Sequence, residues 1–263
     1  MQVFWLEQSE ANVPCADDWL ADRETTRLSS FRIVKRRGDW RLGRWTAKCA
    51  VAATLQLELD PLSLRRIEIS AAETGQPEVI QSDRRQPVTI SISHRAGGAI
   101  CAVAHGDVKL GCDLEVIEPR SDAFIADYFT AAEQASLNSA SEQDRPLLAT
   151  LFWGAKESAL KAMHVGLRAD TRTVEVRLFD LERQQSGTAE TAAMQSVHPN
   201  ERPRFPQNSW LPLQILSNDG TDFPGWWRYS GNQVRTIVSA PPPGLPIELR
   251  IPAPTGNSIS PQS

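Results

Sequence analysis

The segment at residues 111–116 constrains the fold of this chain more than any other part of the sequence. Its apolar residues alternate with the carboxylates of Asp113 and Glu115. This alternation has the two-residue period of a β-strand that is buried on one face. Both acids would then lie on the same face, with Cα atoms roughly 6–7 Å apart, which is close enough for them to share one divalent cation.

A third acid follows on a helix that the apolar periodicity predicts over residues 143–164. Glu157 and Lys161 are four positions apart and would share one face of this helix. Asp113, Glu115 and Glu157 could then hold one hard divalent cation, with Lys161 beside an anionic substrate. A plainer interpretation is also open: the strand acids face solvent, and Glu157 and Lys161 form a surface pair worth roughly 0.2–0.5 kcal/mol.

A second long helix, predicted over residues 34–59, carries a basic stripe. Arg37, Arg41, Arg44 and Lys48 recur at the spacing of one helix face, and few acids lie near them in the sequence. A solvated helix face would explain this stripe by itself. A polyanionic ligand would explain in addition why acidic partners are nearly absent from the helix.

The whole composition restricts the class of protein. A net charge of −4 argues against a general nucleic-acid binder. No stretch approaches about 18 apolar residues, and residues 1–7 do not have the basic start and long apolar run of a signal peptide. The four cysteines show no metal-binding spacing, so we expect reduced, packed thiols and a soluble, cytoplasmic protein. If the strands predicted at 99–104 and 109–116 pair as a hairpin, Cys101 and Cys112 would lie close together.

Several motifs in this order resemble the 4′-phosphopantetheinyl transferase superfamily, and its surfactin-synthetase-activating (Sfp) type in particular, over about residues 30–170. The motif that closes the set, W-x-x-K-E-x-x-x-K, is specific when it follows G-x-D-x-E at this separation. The matching residues are the basic helix from Lys35 to Lys48, the turn Thr74-Gly75-Gln76-Pro77, S-x-S-H at Ser91-Ile92-Ser93-His94, G-x-D-x-E at 111–115, Tyr128-Phe129 followed by Glu133, and Trp153, Lys156, Glu157 and Lys161. The sequence departs from the family at Gln76, where a basic residue is usual, and at His164, where glycine is usual.

The resemblance implies an α+β fold of two pseudo-twofold-related halves, each a small antiparallel sheet packed with helices. The active site would lie in the cleft between the halves. We expect an N-terminal half at residues 1–115, a C-terminal half at 116–240 and a Pro-rich tail at 241–263. A polar, aperiodic stretch at 186–209 is expected to be a long surface loop.

The resemblance also implies the reaction: Mg²⁺-dependent transfer of the 4′-phosphopantetheine arm of coenzyme A to a serine of an acyl or peptidyl carrier protein, with release of 3′,5′-ADP. Mn²⁺ could replace Mg²⁺. Asp113, Glu115 and Glu157 would hold the metal, and Glu157 could be ligand, general base or both. Lys161 would neutralise the pyrophosphate, so that Asp113, Glu157 and Lys161 form the implied catalytic set.

The resemblance further implies a coenzyme-binding set and a docking surface for the carrier protein. The implied coenzyme A contacts are Arg37, Arg44, Lys48, Gly75, Pro77, Ser93, His94, Lys156 and Lys161. The protein would be a monomer that meets its carrier transiently, without a nucleic-acid or membrane partner. Tyr128, Phe129 and the helix after Thr130 are the candidate docking surface, although core packing explains the two aromatic residues equally well.

Two other functions use the same residues. A metal-dependent nuclease or phosphohydrolase would use the same acids with Lys156 or Lys161 beside the metal, and the basic stripe would bind a nucleic-acid backbone. Such enzymes usually have an acid and a lysine close together at the end of one strand, whereas the lysines here are predicted on a helix. A non-catalytic module that binds coenzyme A or carrier proteins would gain little from three clustered carboxylates. Transfer of a labelled phosphopantetheine arm to a carrier would distinguish the transferase from both alternatives.

Overall fold

A computed structural model describes residues 1–166, 169–179 and 205–251 of the chain. These residues form two compact units. The N-terminal unit contains Gln2–Asp107 and the segment from Ile247, and the C-terminal unit contains Met1 and Val108–Pro246. Most of the predicted loop at 186–209 lies outside the described residues.

The N-terminal unit packs its longest helix against a small sheet. Its strands are β1 (Val3–Ser9), β2 (Ile67–Ala71), β3 (Pro77–Gln81), β4 (Arg84–Arg85), β5 (Val88–Arg95) and β6 (Gly98–His105), joined by β12 (Ile247–Glu248). Its helices are α1 (Asp22–Ser29), α2 (Val34–Thr54) and α3 (Pro61–Arg65). One sheet has the order β12-β1-β6-β5, the other has the order β2-β3-β4, and α2 contacts β1, β5 and β6.

The C-terminal unit repeats this plan with a single five-stranded sheet. Its strands are β7 (Lys109–Val116), β8 (Val174–Leu178), β9 (Leu211–Ser217), β10 (Asp222–Ser230) and β11 (Gln233–Ala240). Its helices are α4 (Asp122–Tyr128), α5 (Ala131–Ser139) and α6 (Arg145–Ala162). The sheet is antiparallel in the order β7-β11-β10-β9-β8, and α6 lies across β7 and β11.

The two units share one connectivity. In each unit a first strand is followed by helices, and the last long strand of the unit then pairs with that first strand: β6 with β1, and β11 with β7. The predicted α+β class is confirmed by this mixture of helices and small sheets. The pseudo-twofold relation of the halves and the cleft between them stay predictions. Within the described residues, every helix is too short or too polar to span a lipid bilayer.

The structure divides the chain earlier than the sequence predicted. The division falls between Asp107 and Val108, because β7 pairs with β11 along its whole length. The strand that carries Asp113 and Glu115 therefore belongs to the C-terminal unit and not to the N-terminal half.

The predicted hairpin between the strands that carry Cys101 and Cys112 is wrong. Both edges of β6 are already occupied, one by β1 and the other by β5. No edge is left for β7, which pairs with β11 in another sheet. In the strand register, Cys101 therefore lies opposite Leu6 and Ile92, whereas Cys112 lies opposite Ile237.

The start of the predicted Pro-rich tail is folded. Strand β12 pairs in parallel with β1, and the backbone N–H of Leu249 donates to the carbonyl of Trp5 at 2.8 Å. Leu249 and Ile251 pack against the core of the N-terminal unit. Residues 252–263 of the predicted tail lie outside the described residues.

The burial of the cysteines predicts a selective alkylation pattern. All four lie in the described residues and none forms a disulfide; Cys15 is exposed, whereas Cys49, Cys101 and Cys112 are buried. Burial raises the pKa of the Cys49 thiol to about 12, which suppresses its reactive thiolate. We expect iodoacetamide at neutral pH to label Cys15 in the native protein and the other three only after unfolding, as peptide mass spectrometry would show. Native labelling of Cys101 at the rate of Cys15 would contradict this burial.

Candidate active site

The acids of β7 and α6 meet in one place. Asp113, Glu115 and Glu157 each offer a carboxylate oxygen, and these oxygens all lie within 4.8 Å of one another. Asp113 is only 2 % exposed, so it does not belong to a solvated strand face. The structure thus brings together the three predicted metal ligands, while their role as ligands stays a prediction.

Two glycines allow α6 to lie this close to β7. A Cβ atom on Gly111 of β7 would lie 1.8 Å from the carbonyl oxygen of Ser158, and one on Gly154 of α6 would lie 3.2 Å from Asp113 Oδ2. The hydroxyls of Ser158 and Thr236 are 2.7 Å apart and join α6 to β11. The G-x-D-x-E glycine is therefore required by the approach of helix to strand.

Lys161 supplies a positive charge inside the acidic cluster. Its Nζ donates to Asp113 Oδ1 at 2.7 Å and to the carbonyl of Cys112 at 3.0 Å, and it lies 4.0 Å from Glu157 Oε2. Burial by itself would lower the pKa of Lys161, but the carboxylates of Asp113 and Glu157 outweigh it and hold the pKa above its ordinary value. Lys161 is therefore a cation at neutral pH.

Arg120 is a second cation of the site, which the sequence analysis missed. Its Nη2 lies 3.6 Å from Glu115 Oε2, and its Nη1 lies 2.9 Å from Glu118 Oε1. Its guanidinium also lies over the ring of Phe124, 4.9 Å from the ring centroid. Its position in the sequence could have predicted this contact, because Arg120 follows closely after the acidic strand and its side chain can reach back to Glu115.

The residues present fit a Mg²⁺ ion. Three carboxylates from two elements supply only hard oxygen donors, which Mg²⁺ prefers over nitrogen or sulfur. Gly154 leaves open the space beside Asp113 Oδ2 that a side chain would fill. The cluster also keeps a net negative charge, since Lys161 and Arg120 offset two of its three carboxylate charges.

Several predicted coenzyme contacts lie on or near α2 in the N-terminal unit. Arg44 lies over the ring of Trp40 at 5.1 Å, and burial lowers its pKa. A Cβ on Gly43 would lie 3.8 Å from Cδ2 of His94, so the structure places the exposed His94 beside this part of α2. Arg37 is half exposed and lies 3.6 Å from Asp17.

The remaining contacts predicted on this unit lie on strands and in a turn. Ser93 is buried on β5. Gly75 has a φ of +87°, which glycine adopts without strain, and its N–H donates to the carbonyl of Ala72 at 2.8 Å. Pro77 begins β3. The structure therefore confirms a tight turn at this position, while its contact with coenzyme A stays a prediction.

Two of the predicted coenzyme contacts are wrong. Lys48 and Lys156 are both 0 % exposed. Each ammonium has three acceptors, a carboxylate and two backbone carbonyls, which use all three of its N–H donors. The acids that appeared to be missing from α2 come from other elements, with Glu24 beside Lys48 and Asp17 beside Arg41.

The two aromatic residues predicted to form a docking surface differ in burial. Phe129 is fully buried in the core of the C-terminal unit, where it contacts Phe152 and Phe124 at ring-centroid distances of 6.2 and 5.9 Å. Tyr128 is 39 % exposed. Core packing therefore accounts for Phe129, and of the two aromatic residues only Tyr128 remains available to a partner.

Comparison with known proteins finds a family match within the C-terminal part of the chain. The family model described as the 4′-phosphopantetheinyl transferase superfamily matches residues 109–207. A comparison with curated proteins found no match.

Solved structures of holo-(acyl-carrier-protein) synthases resemble part of the chain. One from Bacillus anthracis str. Ames, in complex with CoA (3′,5′-ADP), is 20 % identical with a TM-score of 0.34, covering 39 % of this chain and 92 % of its own. One from Helicobacter pylori, in complex with coenzyme A, is 21 % identical with a TM-score of 0.32, covering 40 % and 100 %. One from Thermotoga maritima is 18 % identical with a TM-score of 0.34, covering 49 % and 74 %.

The matched region begins with β7 and includes α6, so it contains the three clustered acids as well as Lys161 and Arg120. The Sfp type stays a prediction. The resemblance to the 4′-phosphopantetheinyl transferase superfamily that the motifs predicted is confirmed over this region by the match of the family model.

Proposed function

We propose that this protein transfers the 4′-phosphopantetheine arm of coenzyme A to a serine of an acyl or peptidyl carrier protein in a Mg²⁺-dependent reaction. The observation that carries the proposal is the cluster of Asp113, Glu115 and Glu157 within 4.8 Å, in a region that matches the transferase superfamily. In this reaction the serine oxygen bonds to the β-phosphorus of coenzyme A. The pyrophosphate bond breaks, 3′,5′-ADP leaves, and the serine proton passes to a base.

The three carboxylates would hold the Mg²⁺ ion. When bound, Mg²⁺ would supply positive charge beside the pyrophosphate, where negative charge grows as the leaving group departs. Lys161, a cation 2.7 Å from Asp113, would orient that carboxylate and offer an N–H to a phosphate oxygen. Arg120, whose Nη2 lies 3.6 Å from Glu115 Oε2, would hold that carboxylate by charge attraction.

Glu157 is the best placed of the three carboxylates to accept the serine proton. Its side chain is 18 % exposed, compared with 10 % for Glu115 and 2 % for Asp113. A general base must come within hydrogen-bond reach of the incoming hydroxyl, and a more exposed carboxylate meets that condition more easily. The exposed side of Glu157 would thus accept the proton of the carrier serine.

Coenzyme A would be held by cationic and polar groups of the N-terminal unit. Arg37 is half exposed and Arg44 is partly buried on α2, and guanidinium groups suit bidentate contacts with phosphate. His94 and Ser93 lie at the end of β5 near Gly43. The turn at Gly75 and Pro77 would contact the adenine. The protein would act as a cytoplasmic monomer, with Tyr128 available to the transient carrier partner.

Intact-mass spectrometry of an apo carrier protein tests the proposal. After incubation with this protein, coenzyme A and Mg²⁺, we expect the carrier to gain one phosphopantetheine arm, and excess EDTA should prevent the gain. Fatty-acid, polyketide and nonribosomal-peptide carriers should be tried in parallel. Coenzyme A binding without transfer to any of them would favour a binding module, and cleavage of a phosphodiester substrate would favour a phosphohydrolase.

A further inference from the structure

We infer that Lys156 and Glu133 are positioning residues for Glu157: their buried ion pair fixes the rotation of α6 and so holds the Glu157 carboxylate beside β7. The inference rests on the proposed metal site. It gives a role to the lysine of the K-E-x-x-x-K motif that contact with coenzyme A cannot explain, because this lysine is fully buried.

The ion pair joins α6 to two neighbouring elements. Lys156 Nζ lies 2.8 Å from Glu133 Oε2 and donates to the carbonyls of Thr171 at 3.0 Å and Val174 at 2.6 Å. Glu133 in turn accepts from the backbone N–H of Val176 at 2.8 Å through Oε1, and from the N-cap residue of α5 at 2.8 Å through Oε2. One residue before Glu157, α6 is therefore tied to the start of α5 and to β8.

The opposite side of α6 is held by the sheet. Gly154 lies against Asp113, and the hydroxyl of Ser158 contacts that of Thr236 on β11. At 100° per residue, Lys156 is on roughly the other side of the helix from Gly154 and Ser158. The helix is thus anchored on two sides within the turn that carries Glu157.

Loss of one anchor would leave α6 free to rotate about the contact with the sheet. For a carboxylate about 6 Å from the helix axis, a rotation of about 20° moves the oxygen atoms by about 2 Å. That displacement is comparable to a metal–oxygen bond length, which for Mg²⁺ is about 2.0–2.1 Å. A small rotation is therefore enough to remove Glu157 from a shared metal site.

Energetics favour positioning over stability as the role of the pair. Two fully buried charges lose their hydration, and this loss offsets much of their attraction. Apolar residues of similar volume would fill the same space without that cost. A pair with all its hydrogen bonds formed, however, permits only one arrangement of α5, α6 and β8.

The N-terminal unit contains the same pair without the site. Lys48 contacts Glu24 and donates to two carbonyls, those of Trp19 at 2.9 Å and Leu64 at 3.1 Å. Glu24 accepts from the backbone N–H of Ile69 at 3.0 Å and from the N-cap residue of α1 at 3.0 Å. The residue after Lys48 is Cys49, a buried thiol, where the C-terminal unit has Glu157. This second pair therefore provides a matched control within the same molecule.

Mn²⁺ binding to the full-length protein tests the inference, with free Mn²⁺ measured by electron paramagnetic resonance. The double variant Glu133→Gln with Lys156→Met should bind Mn²⁺ about tenfold more weakly than the wild type, the effect typical of residues that orient a ligand. The matched variant Glu24→Gln with Lys48→Met should keep wild-type affinity while its thermal midpoint falls by a similar amount. Equal Mn²⁺ affinity in both double variants would overturn the inference.

A crystal structure separates this inference from the proposed metal site. In the Glu133→Gln, Lys156→Met variant, α6 should be rotated so that Glu157 moves away from Asp113. An unrotated α6 would overturn the positioning role, whether or not the wild type binds Mn²⁺. A wild type that bound no Mn²⁺ would overturn the metal site alone. If the double variant does not fold, Glu133→Gln alone, which changes the shape least, should weaken Mn²⁺ binding, and unchanged binding would overturn the inference.

Discussion

Replacing Glu157 by glutamine is expected to slow phosphopantetheinyl transfer on the order of 10²–10³-fold, the usual loss for one electrostatic group at a reaction centre. Glutamine keeps the shape of the side chain but removes the charge that would hold the metal or accept the serine proton. The folded protein should not lose stability, because the change relieves repulsion among three carboxylates within 4.8 Å. The transfer rate would be followed by intact mass, and stability by urea unfolding without metal.

The same variant separates the two roles proposed for Glu157. If Mn²⁺ affinity and transfer fall together, Glu157 is a ligand; if Mn²⁺ binding is normal while transfer is lost, it is the base. Glu142→Gln is the matched control, because Glu142 is exposed just before α6. This control should transfer at the wild-type rate. Wild-type transfer by Glu157→Gln would exclude both roles and with them the proposed mechanism.

Local periodicity was enough to predict the elements that build the site. The alternation around Asp113 and Glu115 is observed as β7, and the apolar spacing predicted α6 within two residues at each end. Helix α5 begins with a capping box at Thr130 and Glu133, whose three-residue spacing is readable in the sequence. These signals depend on neighbours along the chain, and a side-chain period fixes which residues share a face. The three acids then meet because α6 packs against β7.

Partners distant in the sequence could not be read in the same way. Lys48 was predicted in a basic stripe and Lys156 as a coenzyme A contact, and both predictions expose a residue type that is almost never fully buried unless it is paired. Their partners Glu24 and Glu133 lie 24 and 23 residues earlier and reach them only through the tertiary fold. The helical period predicts the direction of a side chain, but it does not show what covers it.

The pairing of strands could not be predicted from the sequence for a related reason. Two strands that follow each other in sequence usually pair, and this expectation produced the incorrect hairpin between β6 and β7. The structure instead fills both edges of β6 and pairs Trp5 of β1 with Glu248 of β12. The sequence near residue 248 gave no strand signal, because a two-residue strand is too short to show a period.

The contact between α6 and β7 makes Gly111 the most sensitive position for folding. A methyl group there would lie 1.8 Å from the carbonyl oxygen and 2.7 Å from the carbonyl carbon of Ser158, and 3.1 Å from the backbone nitrogen of Ala162. These are backbone atoms, so the clash can be relieved only by moving the whole helix. We expect Gly111→Ala to lower the free energy of unfolding by about 3 kcal/mol, at the upper end for overpacking, as measured by urea denaturation.

The same change should also remove the acidic cluster, because the displaced helix carries Glu157 and Lys161 away from Asp113. Gly38→Ala on α2 is the control: an added Cβ there has no atom within 4 Å, and alanine in a helix is favoured over glycine by about 1 kcal/mol. Gly38→Ala should therefore be at least as stable as the wild type. If Gly111→Ala kept both the wild-type stability and its Mn²⁺ affinity, the close packing of α6 on β7 could not be what assembles the site.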